Sequence, residues 1–219
     1  MAQEYDKIFR ENVEAVVRKA QKRLFGQEFE IIEAIGTTEL PQTIEKKVDF
    51  ARLVKDREGR KMVLHIEFQS ADEEDMVLRM QTYKAWIQER YPFPMLQYVV
   101  YLGTEPSDMA SSLQEHIPGE DSDYGFKLVE LRKIDADNLL ASSIPEEIIM
   151  SVLADNHDRS PSETIRTIVT RLQGICDSPR KLSRYVMQLG ILGRLRELDQ
   201  TIIKTLKTMP LELNINLEE

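Results

Sequence analysis

A chain of 219 residues, 42% hydrophobic and 31% charged, carries enough apolar material for a buried core, which excludes a disordered or fibrous protein. Its 29 Lys and Arg against 38 Asp and Glu leave a net charge of -9, excluding indiscriminate attraction to nucleic acid but not a local phosphate-binding site. The single cysteine, Cys176, excludes an intramolecular disulfide and a thiolate metal cluster and fits a reducing compartment.

The opening MAQEYDKIFR is acidic where a secretory leader is basic and then apolar, and no run approaches the roughly 18 apolar residues of a membrane span. The expectation is a cytoplasmic protein with no membrane partner. Ile8, Phe9, Val13, Val16, Val17, Ala20 and Leu24 recur near the helical period and predict a helix over 6–25, ended by Gly26. Residues 43–55 switch to a period near two, as do residues 61–69, and the polar DREGR between them supplies a turn. An antiparallel hairpin follows, with Asp49 and Glu67 on neighbouring strands. The acidic stretch 70–75 opens a helix to about Glu89, with Met76, Arg79, Met80, Tyr83, Trp86 and Ile87 at helical spacings.

Pro92 and Pro94 force an extended exit into MLQYVVYLG, whose near-continuous apolar character predicts a central strand over 95–103. Residues 104–123 read mainly as loop, and 125–134 as another strand. From Pro145 the pattern is helical over roughly 146–155, 161–175, 179–192 and 194–208, and the final residues read as a docked extended tail. The fold class is therefore α/β, with an α/β core over 1–144 and a helical extension with its tail over 145–219. Charge follows that division in part: residues 104–158 hold three basic and thirteen acidic residues, whereas 159–207 hold ten basic and four acidic. The basic set includes Arg159, Arg171, Arg180, Arg194 and Arg196. It is read either as a phosphate-facing surface or as the solvated exterior of a helical bundle.

Chemistry concentrates in KKVDFARLVKDREGRKMVLHIEFQS. On a strand His65, Glu67 and Gln69 share one face, opposite Leu64, Ile66 and Phe68. With Asp49 opposite or diagonal to Glu67, the two carboxylates can jointly hold a hard cation, for which magnesium suits the oxygen donors. The bland reading is a pair of exposed polar residues on a sheet.

The order of Asp49 in VDFARLV, Glu67-Phe68-Gln69 in LHIEFQS, and Met76, Arg79 and Tyr83 in DMVLRMQTYKAWI resembles the PD-(D/E)xK nuclease superfamily. The likeness is to its transposase-like, recombination-promoting nuclease branch. That resemblance implies a restriction-endonuclease-like central mixed sheet flanked by helices over residues 1 to about 135, with a C-terminal helical extension also similar to the branch. It further implies a DNA endonuclease dependent on Mg²⁺ or Mn²⁺ that hydrolyses phosphodiester bonds in recombination or mobile-DNA biology. Asp49 and Glu67 would be metal ligands together with the Phe68 carbonyl oxygen, and Gln69 would position water or phosphate. The superfamily usually carries Lys where this chain has Gln69, and an amide donates a hydrogen bond without the ammonium charge. The alternative is accordingly a catalytically weak or inactive scaffold that binds DNA or assembles with proteins.

Superfamily members often add an acidic residue from the first helix, for which Glu11 and Glu14 are the candidates; each reads otherwise as an ordinary solvated helix residue, and neither is counted in the catalytic set. Arg79 and Tyr83 are four apart and share a helix face, so they read either as donors to phosphate or as a buried brace for Glu67. His65 reads as a polar neighbour of the site rather than a ligand, since His116 and His157 lie too far along the chain to suggest a zinc centre. Cys176 reads as a half-buried thiol. A homodimer is compatible, because paired sites address both DNA strands.

Overall fold

The computed structural model describes residues 8, 12, 13, 17, 23–26, 28, 30–34, 48–117 and 120–210. They belong to two compact units. One comprises Val17–Tyr101 and Glu105–Glu130; the other comprises Met1–Val16, Leu102–Thr104 and Leu131–Glu219. The units part at residue 130, whereas the change in composition lies near 144.

The first unit is built on a five-stranded mixed sheet. β1 (Glu30–Ala34), β2 (Phe50–Lys55) and β3 (Lys61–Gln69) pair antiparallel with one another in turn, while β4 (Met95–Tyr101) joins β3 in parallel and β7 (Lys127–Glu130) joins β4 in parallel, in the order β1-β2-β3-β4-β7. The β2–β3 hairpin closes on Asp56, whose carboxylate accepts from the N–H groups of Glu58 and Arg60, both at 2.9 Å. Gly59 takes φ of 79° there, a left-handed conformation that a side chain would strain. Helix α1 (Met76–Arg90) returns the chain so that β4 can lie parallel to β3, the connection that parallel strands require. Helical conformation at the described residues 8, 12, 13, 17 and 23–25 agrees with the expected first helix.

Central position buries both faces of β3. On one face Ala51, Leu53, Val63, Val99 and Tyr101 join Met76, Met80, Tyr83 and Ile87, which spacings of four, three and four place along one stripe of α1. On the other, Leu64 and Ile66 are wholly buried, and neighbouring Tyr98 packs its ring 4.6 Å from that of Phe25.

Two strands depart from the expected loop over 104–123. β5 (Ser112–Ile117) and β6 (Glu120–Gly125) pair as a separate antiparallel ribbon, of which Leu113 and Tyr124 pack on the α1 core. With so few apolar residues in a polar stretch, the two-residue period is not visible in the sequence. β1 also escapes a pattern reading, because EIIEA interrupts alternation at a bulge between Ile31 and Glu33.

In the second unit, α3 (Pro145–Met150), α4 (Pro161–Ile175), α5 (Pro179–Arg194) and α6 (Asp199–Lys207) lie in the stretch expected to be helical, and a short helix that was not expected, α2 (Ala136–Leu140), precedes them. Ser160 and Glu163 cap α4 reciprocally, and Ser178 accepts from the Lys181 N–H at the start of α5. α2 was too short to show a period; its start is capped by the Asp135 side chain. α6 begins later than expected, because the chain turns after Arg194 with Glu197 at φ of 55°. Of the expected tail over 209–219, all beyond Pro210 lies outside the described residues. Among the described residues, no helix is long and apolar enough to cross a membrane.

Much of the basic character of this unit is used internally. Arg171 donates to the carbonyls of Leu140 at 2.9 Å and Ser142 at 3.1 Å, and Arg196 to those of Leu102 at 2.8 Å and Leu153 at 2.9 Å. Arg159 pairs with Asp137, Lys181 with Asp177 and Arg194 with Asp199. Arginines expected as a phosphate-facing surface therefore serve in part as braces between helices and turns.

Leu64→Ala should destabilise the protein by ~2–5 kcal/mol through loss of buried area and the cavity left behind. Leu78→Ala, on the exposed side of α1 at 52% exposure, should change stability by less than ~0.5 kcal/mol in the same urea titration. Arg196→Ala should cost ~1–3 kcal/mol by stranding main-chain carbonyls, measured as a lower urea midpoint with an unchanged slope.

Candidate functional site

Where β2 stops pairing with β3, two carboxylates take over its end. The register runs Phe50 opposite Ile66, so its continuation sets Asp49 across from Glu67. The Asp49 N–H donates to Glu67 Oε1 at 2.9 Å, and the Phe68 N–H donates to Asp49 Oδ2 at 3.0 Å. Each side chain thus satisfies a backbone donor of the opposite strand, and hydrogen bonds from backbone N–H to carboxylate are worth about 1.5–3 kcal/mol. Asp49 is half-buried and Glu67 is 3% exposed.

A chain of buried polar groups runs inward from Glu67. His65 Nε2 lies 3.0 Å from Glu67 Oε1, and His65 Nδ1 lies 3.0 Å from Gln97 Nε2. The Gln97 amide also donates to the Met80 carbonyl of α1 at 2.8 Å and accepts from the Tyr124 hydroxyl at 2.8 Å. A carbonyl can only accept, so the Met80 contact fixes which end of the Gln97 amide carries the hydrogens. One hydrogen goes to Met80 and the other to His65 Nδ1, so the ring proton resides on Nε2 and is donated to Glu67 Oε1. Glu67 has no Lys or Arg partner among the described residues. Glu67 Oε2 takes no hydrogen bond among them either.

Tyr83 packs edge-on against His65, with ring centroids 5.4 Å apart. Burial first, and then the Glu67 charge, push its phenol up to about 12, and Arg79 opposes part of that shift. Burial likewise pushes the Tyr124 phenol up, against the hydrogen bond to Gln97. Arg79 pairs with Glu73 instead of Glu67, and its buried Nε has no partner. Neither Arg79 nor Tyr83 hydrogen-bonds Glu67; the brace expected from α1 comes from His65 and the Asp49 backbone.

The structure thus brings Asp49, Glu67, Phe68 and Tyr83 together. Gln69 follows on the Glu67 face of β3, half-buried, with no hydrogen-bond partner among the described residues. Glu11 and Glu14 lie outside the described residues. Two contributors were not singled out from sequence. Gln97 had a signal, as the one amide within the apolar run MLQYVVY, where a buried polar group must find partners. Tyr124 has none, because its strand EDSDYG is polar and carries no two-residue apolar period.

Other polar groups belong to the second unit. Asp135, Asp137 and His157 bring three ligand atoms within 4.8 Å. Asp135 caps α2 and Asp137 holds Arg159, so these carboxylates already have structural partners. Cys176 follows α4, with burial and the Asp177 carboxylate pushing its thiol up, an unfavourable setting for a nucleophile.

Comparison with known proteins found no matching family model, no matching curated protein and no matching solved structure. The site's chemistry therefore rests on its own geometry.

The raised Tyr83 phenol has a signed consequence for stability. Its folded value of about 12 exceeds its ordinary value of 10.0, so the native state holds the proton more tightly. The associated stability is complete below about pH 10 and is lost as pH rises through the folded value. Tyr83→Phe should reduce the alkaline fall in unfolding free energy, measured by urea titrations at successive pH values.

Proposed function

We propose that the protein is a divalent-cation-dependent DNA endonuclease of the PD-(D/E)xK type, with its mixed sheet as a restriction-endonuclease-like core. The observation that carries this reading is the reciprocal clasp of Asp49 and Glu67, which holds two carboxylates at one strand end. The donor set fits a hard cation: among the described residues Glu67 Oε2 takes no hydrogen bond and Glu67 has no Lys or Arg partner, and carboxylate oxygens suit magnesium or manganese. A buried carboxylate without a cation is costly, and a divalent ion answers that cost.

Asp49 and Glu67 would hold the ion, with the Phe68 carbonyl as a further oxygen donor. A bound divalent cation lowers the pKa of a water and offsets charge on phosphoryl oxygens during hydrolysis. Gln69 donates its amide hydrogens to water or phosphate, the part that its type permits without the charge of lysine. Arg79 and Tyr83 offer an unpartnered guanidinium nitrogen and a protonated phenol from α1. The assignment to DNA, and to recombination or mobile elements, rests on the resemblance of VDFARLV, LHIEFQS and the α1 sequence to that nuclease branch. Paired sites in a homodimer would cut both strands.

The test is cleavage of plasmid and linear DNA in Mg²⁺, in Mn²⁺ and in chelator. Wild type should cut only with metal, and Asp49→Ala and Glu67→Ala should each lose at least about 100-fold, the order expected where a metal-activated step loses a ligand. Equal cutting by wild type and both variants would defeat the site assignment. Metal and DNA binding without turnover would instead favour the second reading, a nuclease-like DNA-binding or assembly factor, which the exchange of lysine for Gln69 motivates.

A further inference from the structure

We infer that Gln97 and His65 form a positioning relay that orients Glu67, holding Oε1 within the protein and presenting Oε2 to a divalent cation. This inference rests on the cation-binding reading above and adds two residues that do not touch the ion. Gln97 is the switch in the relay because its amide is oriented by the Met80 carbonyl at 2.8 Å, which can only accept, while the Tyr124 hydroxyl at 2.8 Å donates to the amide oxygen that this orientation leaves. Rotating that amide would set its oxygen against the Met80 carbonyl oxygen. The orientation therefore passes to His65 as a fixed tautomer.

His65 is 0% exposed, so no bulk water competes for either ring nitrogen. Its ring is held at 82° to the Tyr83 ring. Glu67 Oε1 then receives two donors, His65 Nε2–H at 3.0 Å and Asp49 N–H at 2.9 Å. Two donors on one oxygen pin the carboxylate against rotation and leave the other oxygen as its ligand atom. Hydrogen-bonded partners behind a ligand fix its orientation, and their loss typically weakens metal affinity about 10- to 100-fold. Through Tyr124 the relay also connects Glu67 to the β5–β6 ribbon.

Reversing the relay tests it without relying on turnover. Gln97→Glu places an acceptor where the amide donated, so the proton should move to His65 Nδ1 and leave Nε2 facing Glu67 Oε1 lone pair to lone pair. In ¹⁵N-labelled full-length protein, ring nitrogen correlations should show wild-type His65 protonated at Nε2 and bare at Nδ1, and the reverse in Gln97→Glu. Calorimetric titration with Mn²⁺ should show affinity falling about 10- to 100-fold in Gln97→Glu and in His65→Leu. His65→Gln, which keeps an amide donor toward Glu67, should bind like wild type.

A wild-type ring protonated at Nδ1 would overturn the relay. So would unchanged Mn²⁺ affinity in folded His65→Leu, a comparison that stands even if Gln97→Glu fails to fold. Wild type that shows the expected tautomer but binds no Mn²⁺ would instead overturn the cation reading, and the positioning role with it. Wild type that binds while every variant binds equally overturns the relay alone.

Discussion

Everything proposed for this protein depends on two backbone N–H groups at the end of a strand pair. As β2 gives out at Phe50, the donors of Asp49 and Phe68 find carboxylates across the gap, Glu67 for one and Asp49 for the other. An antiparallel ladder would ordinarily end in water or a turn; here it ends in two acidic side chains that each belong to the strand opposite. The contact makes stability and site geometry one problem, because moving either carboxylate also unseats a main-chain donor. The same arrangement explains how Glu67 tolerates near-complete burial in the middle of a mixed sheet.

The electrostatics of the site follow from where protons sit rather than from net charge. His65 meets Glu67 through a hydrogen bond, and Arg79 is committed to Glu73. A cation-seeking site can therefore exist within a protein that is acidic overall. Conversely, the basic stretch beyond residue 158 is less available than its composition implies, since Arg171 and Arg196 spend their guanidinium groups on main-chain carbonyls. Arginine suits that use because its planar fork reaches several oxygens at once. Any DNA contact must draw on other groups, on a partner copy, or on the cation itself.

Sequence reading succeeded where a period or a punctuating residue was strong. The hairpin is legible because DREGR separates two alternating runs, and α4 and α5 because Ser160-Pro161 and Ser178-Pro179 announce their starts. The extent of β3 matches the extended reading of 61–69, and the placement of Asp49 near Glu67 follows from the same register. Failures occurred where the pattern was short or polar: α2 spans barely one turn, and the β5–β6 ribbon gains its order by packing Leu113 and Tyr124 on a helix distant in sequence.

By itself the sequence determined a mixed α/β chain, a hairpin bearing two acidic residues, and a polar triplet of His65, Glu67 and Gln69 on one face of its second strand. These features are local, set by the two-residue period of strands and by turn chemistry within a few residues. Only the tertiary structure decided that this face lies beneath α1, that Gln97 turns its amide toward His65, and that Tyr124 reaches the same amide. Gln97 lies 32 residues from His65 and 27 from Tyr124 along the chain. Hydrogen bonds between such partners depend on sheet order and helix packing, so no local pattern encodes them. The placement of the proton on His65 Nε2 follows from a carbonyl on one element and an amide on another.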